Sequence, residues 1–200
     1  MSETAGTDGF TENEFNYVLA DPGGSLHARL LGRPGLRRLD VVQGYVDDNT
    51  RIRRFRDLDS DETSYVFSFK RRAARSGKVR EIERAIDRET FEDLFAECAI
   101  RLRKTRYAFA EGGVHWDVDV FLNRKGKAYF VKAEAEVGPE VETAPEPCDT
   151  LAPFVVATPG KRKGFSSRRL ADEGYARPLL KGILEANERR ERRAGLRLAA

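Results

Sequence analysis

Pairs of like charges two residues apart recur within strand-like segments of this chain. Side chains two positions apart on a β-strand point to the same face of the sheet, so each pair places two equal charges side by side. Four pairs are acidic and two are basic: Glu12 and Glu14, Arg51 and Arg53, Glu81 and Glu83, Lys104 and Arg106, Asp117 and Asp119, and Glu134 and Glu136. Apolar residues alternate with these charges, which is typical of half-buried antiparallel strands. A sheet whose polar face meets water would explain one such pair, but six pairs favour a barrel with a polar, ligand-sized interior.

This combination of charges suits a triphosphate. Its roughly four negative charges call for Lys and Arg side chains, and hard ions such as Mg²⁺ and Mn²⁺ bind carboxylate oxygens. The candidate cations for the phosphates are Arg51, Arg53, Lys70, Lys104 and Arg106. The candidate metal ligands are Glu12, Glu14, Glu81, Glu83, Asp119, Glu134 and Glu136. A metal held there would activate water and offset charge on the transferred phosphoryl group.

The composition limits the class of protein. At 200 residues the chain is expected to form one domain, with or without tails. Lys and Arg number 36 and Asp and Glu number 33, so the net charge of +3 does not favour nucleic-acid binding. Cys98 and Cys148 have no disulfide or metal-ligand spacing and predict reduced thiols in a cytoplasmic protein. No apolar run is long enough to span a membrane, and the acidic, polar N-terminus is unlike a signal peptide.

Alternation and turn signals predict a chain made mostly of strands. The expected strands cover residues 12–19, 39–46, 50–55, 64–71, 79–86, 102–110, 114–123 and 128–137. Helices are expected at residues 25–31, after Asp87 or Thr90, and at residues 178–198, where the helix is basic and amphipathic. Residues 138–153 are rich in Pro, Glu and Thr and are predicted to form a loop.

The order of the charged blocks resembles the CYTH superfamily of triphosphate tunnel metalloenzymes. In block spacing it is most similar to the small bacterial branch that mostly hydrolyses inorganic triphosphate. Seven blocks between residues 12 and 171 carry the resemblance: Glu12-Asn13-Glu14-Phe15-Asn16, Gln43-Gly44-Tyr45-Val46 with Arg51-Ile52-Arg53, Phe67-Ser68-Phe69-Lys70, Glu81-Ile82-Glu83, Lys104-Thr105-Arg106-Tyr107, Val118-Asp119-Val120-Phe121, and Ala133-Glu134-Ala135-Glu136-Val137. Each block is weak by itself, and the specificity lies in their common order.

The resemblance implies an α+β fold in which an eight-stranded antiparallel β-barrel forms a triphosphate tunnel, with flanking helices and a C-terminal helix. Together with the composition it divides the chain into a disordered N-terminus (residues 1–10), a tunnel domain (residues 11–175) and a basic C-terminal helix (residues 176–200). It implies hydrolysis of tripolyphosphate, or of a nucleoside or thiamine triphosphate, with Mg²⁺ or Mn²⁺. The catalytic residues would be Glu12, Glu14, Lys70 and Arg106. A homodimer is compatible with this assignment.

Two positions depart from the family pattern. Asn16 stands where the first motif has Lys, so it is a candidate for hydrogen bonding to a phosphate oxygen but brings no charge. The late Arg-Tyr-x-Asn-x-x-Leu-Ala block is degraded at residues 164–171, and Lys161, Arg162 or Lys163 is a candidate for the missing cation. These departures keep two alternatives open, namely an adenylyl cyclase of class IV type and a protein that binds a triphosphate or nucleotide without turnover.

Overall fold

One antiparallel sheet of ten strands makes up most of the protein. The structure is a computed structural model and describes residues 10, 11, 13–72 and 79–198. The strands are β1 (Phe10–Thr11), β2 (Glu14–Leu19), β3 (Arg37–Tyr45), β4 (Thr50–Asp57), β5 (Thr63–Arg72), β6 (Val79–Ile86), β7 (Ile100–Glu111), β8 (Val114–Leu122), β9 (Ala128–Glu136) and β10 (Val155–Gly160). The strand predictions are confirmed with shifted boundaries, whereas β1 and β10 were not predicted. Disorder was expected for residues 1–10, of which Phe10 lies in β1 and residues 1–9 lie outside the described residues. Glu12 also lies outside them.

The strands do not pair into the predicted closed eight-stranded barrel. The strands follow the order β1-β6-β5-β4-β3-β7-β8-β9-β2-β10, which has two ends within the described part of the chain. The physical reason is β10, which pairs with β2 from Asn16 to Leu19 along the edge that a closed barrel would offer to β6. β6 pairs instead with the two-residue strand β1. The fold is therefore α+β with a large, open antiparallel sheet.

The sheet is nevertheless curled, with the charged pairs on its concave face. Glu14 on β2 lies within electrostatic reach of Arg51 on β4 and Lys70 on β5. All three side chains line the same cavity, although β2 and β5 are far apart in the strand order. Within the sheet, Glu14 lies opposite Glu136 across the β2–β9 pair. The curl thus brings predicted cations and predicted carboxylates to a common space.

The convex face carries the main hydrophobic core. Tyr17, Phe109, Trp116 and Val118 are all buried there, at the alternate positions that the sequence predicted. Helix α1 (Leu26–Leu31) covers this core and buries two of its leucines. Because the apolar side chains occupy the convex face, the concave face is free to carry charge.

Helix α2 (Arg88–Glu97) covers the convex side of β4 and β5, and its C-terminal end reaches β3. It begins after Asp87, whose side chain accepts a hydrogen bond of 2.7 Å from the backbone N–H of Thr90, so the predicted N-cap is confirmed. The helix lies so close to β3 that a Cβ on Gly44 would be 2.7 Å from Cys98 Sγ and 2.9 Å from Phe95 Cδ2. The glycine in this strand therefore allows the helix and the sheet to pack in contact.

The C-terminal helices close one end of the concave space. Helix α3 (Ser167–Leu170) is short, and α4 (Glu173–Leu198) begins before the predicted start at Pro178 because Asp172 caps it, accepting hydrogen bonds from two backbone N–H groups. Leu170 and the buried residues of α4 pack against concave-face residues, namely Val18, Leu102, Phe121 and Phe130. This apolar cluster separates one end of the concave face from solvent.

A helix that crosses a membrane must be long and predominantly apolar. Among the residues that the structure describes, no helix is both long enough and apolar enough to span a membrane.

Candidate functional site

A cavity of about 850 Å³ opens on the concave face of the sheet. Its walls come from β2, from the β3–β4 hairpin, and from residues 161–169, which we call the basic segment. Glu14, Asn16 and Glu134 line one side, and Arg51 and Lys70 line the other. The volume is in the range of small-molecule sites. The cavity therefore has room for a small ligand and offers it groups of both signs.

The basic segment adds cations at the mouth of this cavity. It contributes Lys161, Arg162, Lys163, Arg168 and Arg169 to the lining. Arg168 fixes the segment to the β3–β4 hairpin, because its Nη2 lies 2.7 Å from Asp48 Oδ1 and its Nη1 donates to the Asp47 carbonyl at 2.9 Å. The candidates Lys161, Arg162 and Lys163 thus lie in a segment that gives the cavity a strongly positive rim, and their role toward phosphate stays a prediction.

A first group of paired charges lies on β4, β5 and β6; we call it the β4–β6 charge cluster. Glu81 is buried and accepts from Arg51 Nη2 at 2.8 Å, and Lys70 Nζ lies 3.4 Å from its second oxygen. Arg53 reaches Glu83 and also lies 3.9 Å from Glu81. All five predicted residues of these strands thus meet in one network of alternating sign.

A second group, the β7–β9 charge cluster, lies on β7, β8 and β9. Asp119 is fully buried and accepts hydrogen bonds from Arg106 Nε at 2.8 Å and Nη2 at 2.9 Å, and from Lys104 Nζ. Arg106 Nη2 also lies 3.4 Å from Glu134. Burial opposes ionisation of Asp119, but Arg106 and Lys104 outweigh it and hold the pKa of that carboxyl well below its usual range.

Burial acts on the cations of both clusters. It lowers the pKa of Lys104 to about 8, with repulsion from Arg106 as the next cause, even though Asp119 favours the charged form. It lowers the pKa of Arg53 to about 10, and repulsion from Arg51 adds to the effect. The repulsion between neighbouring cations thus persists although each of them is paired with a carboxylate. The arrangement would therefore gain from a ligand that carries several negative charges.

Glu14 and Glu134 form the acidic wall of the cavity. Repulsion from Glu134, followed by burial, raises the pKa of Glu14 from 4.5 to about 7. Glu134 remains ionised: burial opposes this, but the attraction of Lys132 and of Arg106 lowers its pKa to about 2. Glu136, directly opposite Glu14, lies at the exposed rim. The repulsion between Glu14 and Glu134 is the kind that a cation between them would relieve.

The predicted metal ligands fall into two sets. Glu81, Glu83 and Asp119 are engaged with Arg and Lys side chains away from the cavity lining, and Glu136 lies at the exposed rim. Glu14 and Glu134 line the cavity, and Glu134 is at the same time paired with Lys132 and Arg106. Within the described ranges, which leave out Glu12, no three His, Cys, Asp or Glu side chains are close enough together to hold a metal ion. The chemistry of Glu14 and Glu134 fits a hard divalent cation, so metal binding stays a prediction centred on that pair.

The predicted substrate-binding residues all lie on the concave face. Asn16, Arg51 and Lys70 line the cavity, and the others belong to the two charge clusters, namely Arg53, Lys104 and Arg106. The side chain of Asn16 is held by β10, because its Nδ2 donates to the Gly160 carbonyl at 2.9 Å. The structure thus places the predicted cations on one surface.

Three residues of this surface were not among the predicted site residues. Lys132 is buried against Glu134, and its position two residues before that glutamate was a signal that it shares the same face. Asp117 is buried and paired with Arg106, although the spacing alone equally suited a rim position. Gln43 is buried, and neither amide atom has a hydrogen-bond partner within the described structure. A buried amide of this kind is costly unless a ligand or water satisfies it.

The comparisons with known proteins give fold-level likenesses only. No family model matches the chain, and no curated protein matches it. A conserved hypothetical protein from Pyrococcus furiosus is 16% identical, over 68% of this chain and 82% of that chain, with a TM-score of 0.43. A "putative adenylate cyclase" from Bacillus halodurans is 13% identical, over 66% and 83%, with a TM-score of 0.41. The Mediator head module of Schizosaccharomyces pombe is 9% identical, over 88% and 96%, with a TM-score of 0.44. At these values the likenesses establish neither a family nor an activity.

Proposed function

We propose that this protein binds inorganic triphosphate, or a related small triphosphate, in the cavity of a CYTH-like fold and hydrolyses it with Mg²⁺ or Mn²⁺. The observation that carries the proposal is the cavity of about 850 Å³. Cations lie on one of its walls and along its rim, and two carboxylates lie on the opposite wall. A triphosphate needs several cations for its oxygens, and its metal needs carboxylate oxygens. The surface has both within one ligand-sized space.

The cations of the cavity would hold the phosphates. Arg51 and Lys70 face the cavity directly, and the basic segment extends the positive surface to the rim. Arg106 lies behind this lining with its Nε and Nη2 engaged by Asp119, so its fork would bind a phosphate only by exchanging that partner. These residues act by positioning the chain of phosphates and by stabilising charge that develops on the transferred group.

The carboxylates would hold the metal. Glu14 and Glu134 are the pair that faces the cavity, and their mutual repulsion makes a divalent cation favourable there. When bound, the metal would supply a water of lowered pKa and neutralise phosphate charge. Glu12 precedes Glu14 by two residues and is kept as a further candidate ligand on the strength of the sequence alone.

The test is phosphate release from tripolyphosphate with Mg²⁺ and, separately, Mn²⁺. Lys70→Ala should lower kcat/KM by about a hundredfold, because one charged donor to a developing oxyanion contributes roughly that much. Lys181→Ala, on the exposed side of α4, is the matched control and should leave the rate unchanged. If neither metal supports cleavage of tripolyphosphate, thiamine triphosphate or a nucleoside triphosphate, the hydrolase proposal is wrong.

One observation favours a second candidate, binding without turnover. The cations of both charge clusters are already paired with carboxylates, and Asn16 brings no charge to the cavity wall. Calorimetry with tripolyphosphate separates the two functions, since tight binding without product would favour the second. Incubation with ATP adds a third arm, in which cyclic AMP would show a cyclase instead.

We place this function in the cytoplasm. Cys98 and Cys148 are free thiols, and reducing compartments keep thiols in that state. A mass-spectrometric count of modified thiols in protein isolated under alkylating conditions would check this, because both residues should be alkylated without prior reduction.

A further inference from the structure

Lys132 is the most deeply buried cation on the β2–β9 side of the concave face. Its side chain is 1% exposed, and its Nζ donates to Glu134 Oε1 at 2.6 Å, to Asn16 Oδ1 at 3.2 Å and to the Phe165 carbonyl at 3.3 Å. Three acceptors satisfy the three protons of the ammonium group. The position of Nζ is therefore fixed from three directions.

Two of these three acceptors belong to cavity-lining residues. Asn16 and Glu134 are register partners across the β2–β9 pair, and both line the cavity. The amide of Asn16 is held from both ends, because Oδ1 accepts from Lys132 and Nδ2 donates to the Gly160 carbonyl. The ammonium thus lies directly behind the two groups that this wall offers to a ligand.

The need for a cation at this place follows from the surrounding charges. The wall otherwise presents Glu14 and Glu134, and Asn16 is neutral. A phosphate chain that met only these groups would be repelled. Lys132 and Asn16 are diagonal neighbours on the same face of the strand pair, because Asn16 lies opposite Glu134 and Lys132 precedes Glu134 by two residues. An ammonium group from either position can therefore reach the same space.

We propose that Lys132 supplies the cation of this wall: it is a positioning residue that makes the wall compatible with an anionic ligand by holding Glu134 and Asn16 from behind. The inference rests on the proposed triphosphate site and adds a residue to it. It assigns Asn16 and Lys132 to one unit, in which β9 supplies the charge and β2 supplies the amide that faces the cavity.

The experiment moves the charge from one strand to the other. Lys132→Met removes it, Lys132→Arg retains it, and the double variant Asn16→Lys with Lys132→Met transfers it to β2. Tripolyphosphate binding is measured by calorimetry without metal, and KM and kcat with Mg²⁺. Lys132→Met should weaken binding and raise KM by about tenfold or more, because a charge-assisted contribution is worth at least that factor.

The other variants distinguish a positioning role of Lys132 from a purely structural one. Lys132→Arg and the double variant should bind within about threefold of the wild-type protein, since each keeps one cation beside Glu134. A merely structural role would lower the folded fraction, and with it kcat, while leaving KM unchanged. Lys181→Met, on the exposed side of α4, is the control for loss of a lysine and should change neither constant.

Each outcome decides the question. If folded Lys132→Met binds like the wild-type protein, or if the folded double variant fails to recover affinity, Lys132 has no such role. If Lys132→Met does not fold, thermal melts will show it, and the double variant, which keeps the net charge, decides alone. If the wild-type protein binds no triphosphate with or without metal, the proposed function fails and this inference fails with it.

Discussion

Replacing Glu14 with Gln should stabilise the metal-free protein at alkaline pH, although the residue faces the proposed site. Glu14 lies beside Glu134 on the cavity wall, and the repulsion between them, with burial, raises the pKa of Glu14 from 4.5 to about 7. Gln has nearly the shape of the protonated carboxyl and cannot ionise. The substitution therefore removes the repulsion while keeping the packing of β2.

The sign and size of the expected change in unfolding free energy follow from proton linkage. Because the folded-state pKa is raised, the folded protein binds more protons than the unfolded chain between pH 4.5 and 7. The free energy of unfolding therefore falls as the pH rises through this window. At about 1.4 kcal/mol per pKa unit, the contribution approaches about 3 kcal/mol above pH 7, reduced by the partial exposure of the side chain.

The measurement is urea unfolding of both proteins in EDTA at several pH values from 5 to 8. The difference in unfolding free energy, variant minus wild type, should be smallest at pH 5, below about 1 kcal/mol, rise with pH and level off above pH 7. Glu188→Gln, exposed on α4, should differ from wild type by less than about 0.5 kcal/mol throughout. A difference that is flat with pH, or that falls as the pH rises, would refute the assigned repulsion.

Two further substitutions test the packing and the charges of the sheet. Arg53→Ala should lower the free energy of unfolding by roughly 1–3 kcal/mol, because Glu83 loses its partner and buried Glu81 loses one of three nearby cations, and should weaken tripolyphosphate binding in calorimetry, whereas Arg189→Ala on the exposed part of α4 should do neither. Gly44→Ala should cost about 1–3 kcal/mol in urea unfolding, since its Cβ would overlap Cys98. Gly182→Ala, a helical glycine with open space around it, should instead stabilise the protein by roughly 0.5–1 kcal/mol.

The strands could be predicted because each carries a two-residue alternation that a single segment displays by itself. The apolar positions of β8, for example, are those of Trp116 and Val118, and both are buried on the convex face. The same parity placed Asp119 on the concave face beside Arg106, as the β7–β8 register confirms. Local periodicity was sufficient for these assignments because the two faces of the sheet differ so strongly in polarity.

Closure of the sheet could not be predicted in the same way. It depends on β10, whose sequence from Val155 to Gly160 has no alternation and contains a proline, so nothing local marks it as a strand. β10 is held by its position beside β2, and its pairing shows register shifts that a regular strand would not. Which strand occupies an edge is a property of the whole chain.

The sequence also could not predict the roles of the individual carboxylates. Glu14 and Glu134 have the same chemistry and the same spacing pattern, yet burial and neighbours move their pKa values in opposite directions. Lys132 and Arg106 lower the pKa of Glu134, and Glu134 together with burial raises that of Glu14. Lys132 was recognisable only by parity. Spacing identifies which residues share a face, whereas the distances across the curled sheet decide which of them remain charged.

The pairing of charges on the concave face explains why the proposed ligand must bring both signs. In both charge clusters each buried carboxylate is stabilised by Arg or Lys, so an anion alone would compete with Glu81 and Asp119 for the same cations. A cation alone would compete with those Arg and Lys side chains for the carboxylates. A triphosphate that carries a divalent metal supplies a partner for each sign at once, so the buried charges exchange one set of partners for another without being left uncompensated. The site is thus matched to a metal–polyanion complex more closely than to either component.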